Sequence, residues 1–239
     1  IYVYGQHPRT DERVPCTALF SPDSAGLPWI VEIVGPEENK HIWAAGLRDL
    51  AIRNLGGGGL LIRNAIEVDL DRLSFNSCLT DGMRVENERS YDINIRSCQF
   101  INNQGWGINL DPGGTDHGPD RVRIFNSYMI NNWLGQLRVI LAQNVVLRDS
   151  SFLCSIDRIA PGWQSVGVYA FAAHALVVDG CYSENLPVQA IILDGDGDSV
   201  SPYGRATAGA AIRSNYMVGM SQYSPTGVIE LRRATGCHI

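Results

Sequence analysis

Short segments of alternating apolar and polar residues recur along the chain, as at residues 68–75 and 93–100. Alternation with a period of two predicts β-strands with one buried face, and few stretches have the 3.6-residue period of a helix. One apolar position from each copy aligns at intervals of 18 to 34 residues: Ile52, Leu70, Ile95, Ile124, Leu147, Val178 and Ile212. A unit that repeats at irregular intervals predicts a solenoid whose insertions fall in its turns.

A second short strand, often opened by glycine, lies between successive copies, as at residues 59–62, 82–85 and 107–110. Each repeat then holds two or three strands joined by polar turns. We predict an all-β fold, a right-handed single-stranded parallel β-helix of about seven or more coils. A β-sandwich also uses short alternating strands, but it does not repeat the same strand–turn–strand order.

Stacked coils bring equivalent residues into columns. One predicted inward column contains Leu55, Leu73, Cys98, Ser127, Ser150, Cys181 and Asn215, and another contains Phe75, Phe100, Met129 and Phe152. In these columns Cys98 and Cys181 are interpreted as small buried core residues.

Residues 1–40 fit the repeat poorly. We predict an N-terminal segment with a possible first coil over 1–40 and the β-helix over 41–239. The chain starts at Ile1 and the pattern continues to Ile239, so we expect it to be a fragment of a longer protein.

The net charge is −6, which disfavours a nucleic-acid partner or an anionic membrane surface, since both require a basic footprint. No apolar run has the length of a membrane span. The six cysteines include no C-x-x-C spacing, so we expect free buried thiols and folding in the bacterial cytosol.

The glycine-opened strands carry the candidate chemistry on their outward positions. One outward column is expected to contain Leu61, Arg84, Asn109, Arg138, Gly167 and Ile192, and the other Arg63, Glu86, Asp111, Ile140, Tyr169 and Asp194. On adjacent coils the carboxyls of Glu86 and Asp111 would lie roughly 5 to 8 Å apart. This range covers the carboxyl separations of both retaining and inverting glycosidases. The alternative is a surface ion pair of Glu86 with Arg63, worth at most about 1 kcal/mol.

The neighbours of these carboxylates suggest substrate contacts. Arg84 and Arg138 are candidates to bind an acidic sugar or to lower a carboxylate pKa. Asn109 is a candidate polar contact, and Tyr169 is a candidate to stack on a sugar ring.

Two acidic loops lie at residues 110–120 and 193–205, each after the equivalent second strand of its own repeat. His117 in the first is a candidate acid or base. Asp194 is a further candidate catalytic residue, and with Asp196 and Asp198 it forms a possible Ca²⁺ site, although position 205 is Arg205 where a calcium loop has its closing glutamate. A solvated Gly/Asp turn is the alternative.

The coil motifs at residues 93–112 and 122–132 resemble those of the pectate-lyase-like superfamily of right-handed parallel β-helices. The polygalacturonase signature and the Asp-Pro-His-Glu motif of alginate epimerases are absent. Because its cysteines are unbridged and its coil lengths are irregular, the chain most resembles a phage tailspike body. The resemblance implies a homotrimer in a virion tail or outside the cell, acting on a capsule, lipopolysaccharide or uronan.

Three functions are consistent with these observations. The first is a tailspike depolymerase, acting as an endoglycosidase or a lyase. The second is a free-standing bacterial polysaccharide lyase or hydrolase, for which Ca²⁺ is a possible cofactor. The third is a non-enzymatic adhesin or virion structural protein.

Overall fold

The computed structural model describes residues 2–5, 17–22, 26–36, 40–155, 165–195, 206–218 and 228–239. In these ranges the regular elements are β-strands, numbered in chain order. Three long sheets, called sheets I, II and III, contain most of them.

Sheet I contains β1 (Tyr2–Gly5), β2 (Thr17–Ser21), β6 (Leu50–Asn54), β9 (Ser74–Asn76), β12 (Gln99–Ile101), β15 (Tyr128–Ile130), β18 (Ser151–Leu153), β21 (Tyr182–Glu184) and β25 (Tyr216–Val218). Sheet II contains β3 (Trp29–Val34), β7 (Gly58–Arg63), β10 (Met83–Glu86), β13 (Trp106–Asp111), β16 (Gly135–Ile140), β19 (Val166–Phe171), β22 (Ile191–Asp194) and β26 (Ile229–Leu231). Sheet III contains β4 (Ile42–Trp43), β5 (Gly46–Arg48), β8 (Ala65–Asp71), β11 (Tyr91–Arg96), β14 (Asp120–Phe125), β17 (Val146–Arg148), β20 (Val177–Asp179) and β24 (Ala211–Arg213). A short pair joins β23 (Thr207–Ala208) to β27 (Ala234–Thr235).

The chain passes through sheet II, sheet III and sheet I in turn, and seven successive coils contribute to all three sheets. Among the described strands, pairing between coils is parallel, and the antiparallel pair is β1 with β2. The predicted right-handed parallel β-helix is confirmed. Strand β3 already pairs with β7, and the division into segments at residue 40 stays a prediction.

The inward column of sheet III follows the predicted register from Leu70 through Ile95 to Ile212. The prediction for Ile52 is wrong, because Ile52 lies in sheet I opposite Phe75, and Leu47 takes the place opposite Leu70. Both strands of this first copy have the same alternation, so the sequence pattern does not distinguish them. The predicted place of Leu55 in the inward column is wrong for the same reason. In that coil the residue that follows the corner is Leu50.

The corner between sheets III and I explains why small polar residues occur in the predicted column that contains Cys98, Ser127 and Ser150. Each coil turns at a residue in the left-handed region, such as Ser97 (φ 54°) or Asn126 (φ 48°). The next residue points inward, and in several coils its backbone N–H donates to a side chain one coil on. Cys98 donates in this way to Ser127 Oγ (3.3 Å), and Ser127 donates to Ser150 Oγ (3.1 Å). A short polar side chain therefore pairs an amide that would otherwise be buried without a partner.

The corner between sheets I and II contains a buried amide ladder. Asn103 and Asn132 stack on successive coils, and Asn103 donates from Nδ2 to Asn132 Oδ1 (2.8 Å). Asn132 donates in turn to Gln136 Oε1 (2.6 Å). The neighbouring Asn102 and Asn131 occupy the left-handed turn positions (φ 56° and 55°). Asparagine thus has two roles here, the first to make the turn and the second to pair buried backbone.

The core between the sheets is apolar and continuous. Phe75 and Phe100 stack with ring centroids 4.9 Å apart, in the predicted column with Met129 and Phe152. Cys98 and Cys181 are buried free thiols. Burial raises the pKa of each of these two thiols to about 11.

We expect these buried thiols to destabilise the protein at high pH. An unfolded thiol titrates near pH 8.5, so the folded state retains its proton more tightly, and the stability this gives is complete below that pH and is lost as the pH rises towards 11. Between pH 7.5 and 10.5 the free energy of unfolding should fall by about 2 kcal/mol for each such thiol. Denaturant titrations of the wild type and Cys98→Ala at both pH values measure the difference, with Cys237→Ala as the partly exposed control. An equal fall in all three proteins would contradict the burial.

Candidate functional site

The outer face of sheet II brings together most of the predicted site residues. Leu61, Arg84, Asn109 and Arg138 are in register on consecutive coils. In the neighbouring column Arg63, Glu86 and Asp111 are also in register.

The predicted register is wrong at Tyr169, which pairs with Arg138 and not with Ile140. Ala170 is the fully buried residue opposite Val139. Since the slip is two residues, Tyr169 still faces outward, but it lies in the column of Asn109 and Arg138 where Gly167 was expected. Alternation alone does not distinguish two registers that differ by two residues.

Asp81 organises one end of this face and is not among the residues predicted from the sequence. Its Oδ1 accepts the backbone N–H of Trp106 (2.9 Å), and its Oδ2 accepts Asn109 Nδ2 (2.8 Å) and Arg84 Nε (3.0 Å). Its side chain is 5% exposed. Asp81 precedes Gly82, which lies just before β10, and so falls outside the strand positions considered from the sequence. The signal was an acidic residue in a turn that leads into a buried strand.

Glu86 is held by arginines on both sides. It accepts from Arg63 Nε at 2.7 Å, and Arg84 Nη1 lies 3.5 Å from its other oxygen. The turn after β13 covers it, since a Cβ on Gly113 would lie 3.1 Å from Glu86 Cβ. Its side chain is 10% exposed, so it is a fixed, shielded carboxylate, as in the ion-pair alternative.

Asp111 is more accessible, with a 21% exposed side chain. Arg138 donates to Asp111 Oδ2 (2.7 Å) and to Asn109 Oδ1 (3.3 Å), and the backbone N–H of Gly113 donates to Asp111 Oδ1 (2.9 Å). One guanidinium thus orients an amide and a carboxylate on the solvent side of the sheet.

Two neighbouring aromatic rings lie beside this cluster. The centroids of Trp106 and Tyr169 lie 6.4 Å apart, with an interplanar angle of 30°. The indole of Trp106 lies across Gly135 on the next coil, where a Cβ would meet the ring at 2.2 Å. Trp29 lies across Gly58 in the same way. Each glycine lets an indole lie flat on the sheet, and neither pairing was predicted from the sequence.

Asp194 lies further along the same face. Tyr169 Oη is 3.5 Å from Asp194 Oδ2, Arg232 Nη1 is 3.4 Å from the same oxygen, and Gly195 N–H donates to Oδ1 (2.8 Å). Burial, and then the charge of Asp194, raise the pKa of Tyr169. Tyr169 therefore stays protonated at neutral pH and serves as a hydrogen-bond donor rather than a base.

The remaining predicted residues lie elsewhere. His117 lies in the exposed turn that follows Asp111. Asp196 and Asp198 lie outside the described residues. Within the described ranges no three His, Cys, Asp or Glu side chains form a group able to hold a metal ion. Asp194 already has a cationic neighbour in Arg232. Because the other two proposed ligands lie outside the described residues, the Ca²⁺ site stays a prediction.

Comparison with known proteins agrees with the fold. The coils and their parallel sheets define a right-handed parallel β-helix protein, and residues 39–152 match the family model described as a right handed beta helix region. No curated protein matches the chain.

Solved structures give the same class. The chain is similar to ORF18 of Geobacillus virus E2, with a TM-score of 0.61 and 14% identity over 87% of this chain and 44% of that one. It thus spans less than half the length of the viral protein. Weaker matches are the A-module of the mannuronan C-5 epimerase AlgE6 of Azotobacter vinelandii (TM-score 0.37, 11% identity, 82% of this chain and 64% of that one) and the catalytic domain of a GH87 alpha-1,3-glucanase in complex with nigerose (0.32, 8%, 82% and 49%). At these identities the matches concern the fold alone.

A search for membrane-spanning helices found none of sufficient length and hydropathy in the described part of the chain.

Proposed function

We propose that the outer face of sheet II binds a polysaccharide that runs along the solenoid axis. The main support is the aromatic pair of Trp106 and Tyr169 beside the cluster of Asn109, Asp111 and Arg138. A sugar ring has an apolar C–H face that packs on an aromatic ring, and a rim of hydroxyls that needs fixed donors and acceptors. Adjacent coils repeat at about 4.8 Å, so a polymer meets a new row of contacts on each coil.

The charges favour a neutral glycan over a uronan. Arg138 is paired with Asp111, and Arg84 is paired with Asp81. An acidic sugar would have to compete with these carboxylates, whereas hydroxyl groups add to the existing network. Among the predicted glycans, neutral repeats of a bacterial capsule or lipopolysaccharide therefore fit better than a uronan.

We further propose that the chain is part of a tailspike that cleaves the polymer and assembles as a homotrimer in a virion tail. Asp111 is the candidate reactive carboxylate, because its side chain is twice as exposed as that of Glu86 (21% against 10%). Glu86, Asp194 and His117 are the candidate partners. Hydrolysis needs one carboxyl to deliver a proton and the other to stabilise or activate the attacking group.

Binding without cleavage is the second candidate function, as in an adhesin or virion structural protein. The observation that favours it is that Asp81, Glu86 and Asp111 each have an arginine partner. Each of these carboxylates would have to give up an arginine contact before it could act on a substrate.

The test uses a panel of purified bacterial capsules and lipopolysaccharides, with dextran as a neutral polymer and alginate as an acidic one. We expect affinity electrophoresis to show retardation of the wild type by at least one neutral polymer. Trp106→Ala should bind it on the order of 100-fold more weakly, since stacking contributes a few kcal/mol. Trp43→Ala is the control, because Trp43 is exposed on sheet III. Retardation by no polymer would contradict the proposal.

Cleavage is then tested separately, by assaying new reducing ends and unsaturated products. If the tailspike proposal is correct, Asp111→Asn retains binding and loses cleavage, and Glu86→Gln has the smaller effect. Binding without any cleavage by the wild type would support the second candidate function instead.

A further inference from the structure

A cleft lies on a different edge of the solenoid from the outer face of sheet II, where sheet I turns into sheet II. It has a volume of about 610 Å³ and is lined by Leu55, Ser77, Asn102, Asn103, Gln104, Asn131 and Trp133. Volumes of this size are typical of small-ligand sites. The face of sheet II shares none of these residues.

The turn geometry builds the wall of this cleft. Ser77, Asn102 and Asn131 occupy the same left-handed position on three successive coils, with φ of 58°, 56° and 55°. Their backbone N–H groups donate to Ile101, Ile130 and Leu153 of the following coils, and so the column is fixed by the solenoid itself. The backbone of this wall is therefore fixed before any ligand binds, which reduces the entropy cost of binding.

One acceptor in that wall has no donor. The side-chain oxygen Oδ1 of Asn102 is shielded from bulk water and makes no hydrogen bond. The equivalent oxygen of Asn131, by contrast, accepts the backbone N–H of Ser155 (2.7 Å). A buried acceptor without a partner costs folding free energy, and such a group is uncommon unless a ligand or water satisfies it. Asn102 lines the cleft, and this oxygen would reach a ligand there after a rotation of the amide about its Cβ–Cγ bond.

An exposed indole lines the same cleft. Trp133 is 43% exposed, and its backbone N–H donates to Asn103 O (2.9 Å), which anchors the residue to the coil before it. An aromatic face next to amide donors and acceptors, with no charged side chain among the lining residues, matches a neutral ring with hydroxyls on its edge.

We infer that this cleft is a second carbohydrate site that takes a single neutral pyranose residue. The apolar face of the sugar packs on Trp133, and one of its hydroxyls donates to Asn102 Oδ1 once the amide has turned toward the cleft. The site shares a ligand class with the proposed face of sheet II, but it binds one sugar residue or chain end rather than a length of polymer.

The test uses three probes, the methyl glycosides of glucose, galactose and mannose, with ¹⁵N-labelled indole resonances as the readout. We expect at least one glycoside to shift the Trp133 indole resonance in the wild type. Asn102→Gly should weaken this binding at least 10-fold, since glycine retains the left-handed turn and removes the amide. Asn126→Gly is the matched control, because Asn126 is an exposed asparagine in the same conformation (φ 48°), and it should bind as the wild type does.

Trp133→Ala should abolish the glycoside-dependent signal in saturation-transfer spectra, and Trp106→Ala should leave it unchanged. If none of the three glycosides shifts the Trp133 resonance, or if Asn102→Gly binds as tightly as the wild type, the inference is overturned. Neither result bears on polymer binding by sheet II, which depends on Trp106.

Discussion

Replacing Asn132 with alanine is expected to lower the free energy of unfolding by about 4 kcal/mol. Asn132 is fully buried, and its Oδ1 accepts both the backbone N–H (3.1 Å) and Nδ2 (2.8 Å) of Asn103. Its Nδ2 donates to Phe100 O (3.0 Å) and Gln136 Oε1 (2.6 Å). Alanine removes all four hydrogen bonds and leaves their partners buried, and each unpaired group costs roughly 1–3 kcal/mol before relaxation.

Urea titration of Asn132→Ala measures this loss. The control is Asn76→Ala on the exposed side of sheet I, for which a change within about 0.5 kcal/mol is expected. A loss below about 1 kcal/mol in Asn132→Ala would mean that the ladder is hydrated, and it would contradict the stacking of the two asparagines.

Replacing Arg138 with methionine is expected to weaken polysaccharide binding on the order of 100-fold, equivalent to about 2.7 kcal/mol. Arg138 orients Asn109 and Asp111 together. Methionine keeps most of the side-chain volume and removes the guanidinium, so the amide and the carboxylate lose their shared donor. Hydrogen bonds to charged groups contribute about 1.5–3 kcal/mol each, which sets the size of the effect.

The matched control for Arg138→Met is Arg96→Met on sheet III, where Arg96 Nη2 lies 3.5 Å from Asp69. It removes the same charge from a different face and should leave the dissociation constant unchanged, as measured by affinity electrophoresis against the polymer that retards the wild type. Equal weakening by both variants would indicate a general charge effect and not a site on sheet II.

The fold could be predicted from the repeat. In a stacked coil, alternation with a period of two indicates a strand with one buried face, and a recurring small polar residue indicates the inward position after a corner. The column from Leu70 to Ile212 and the burial of Cys98 follow from that pattern. The errors at Ile52 and Tyr169 share a cause. Neighbouring strands, and registers two residues apart, have the same alternation, and only contacts between coils select one of them.

Parts of the candidate site were accessible from the sequence for the same reason. Outward strand positions brought Glu86 and Asp111 into register on adjacent coils. The orientation of Asp81 depends on the turn that contains it. The packing of Trp106 depends on Gly135, a glycine one coil away. Sequence spacing does not encode such contacts when coil lengths vary.

Radical footprinting with and without the bound polymer tests most directly whether the glycan lies on sheet II. Trp106 and Tyr169 lie on the proposed face, whereas Trp43 is 60% exposed on sheet III. The polymer should reduce oxidation of Trp106 and Tyr169 several-fold and leave Trp43 unchanged. Protection of Trp43 with undiminished oxidation of Trp106 would contradict the proposed binding face.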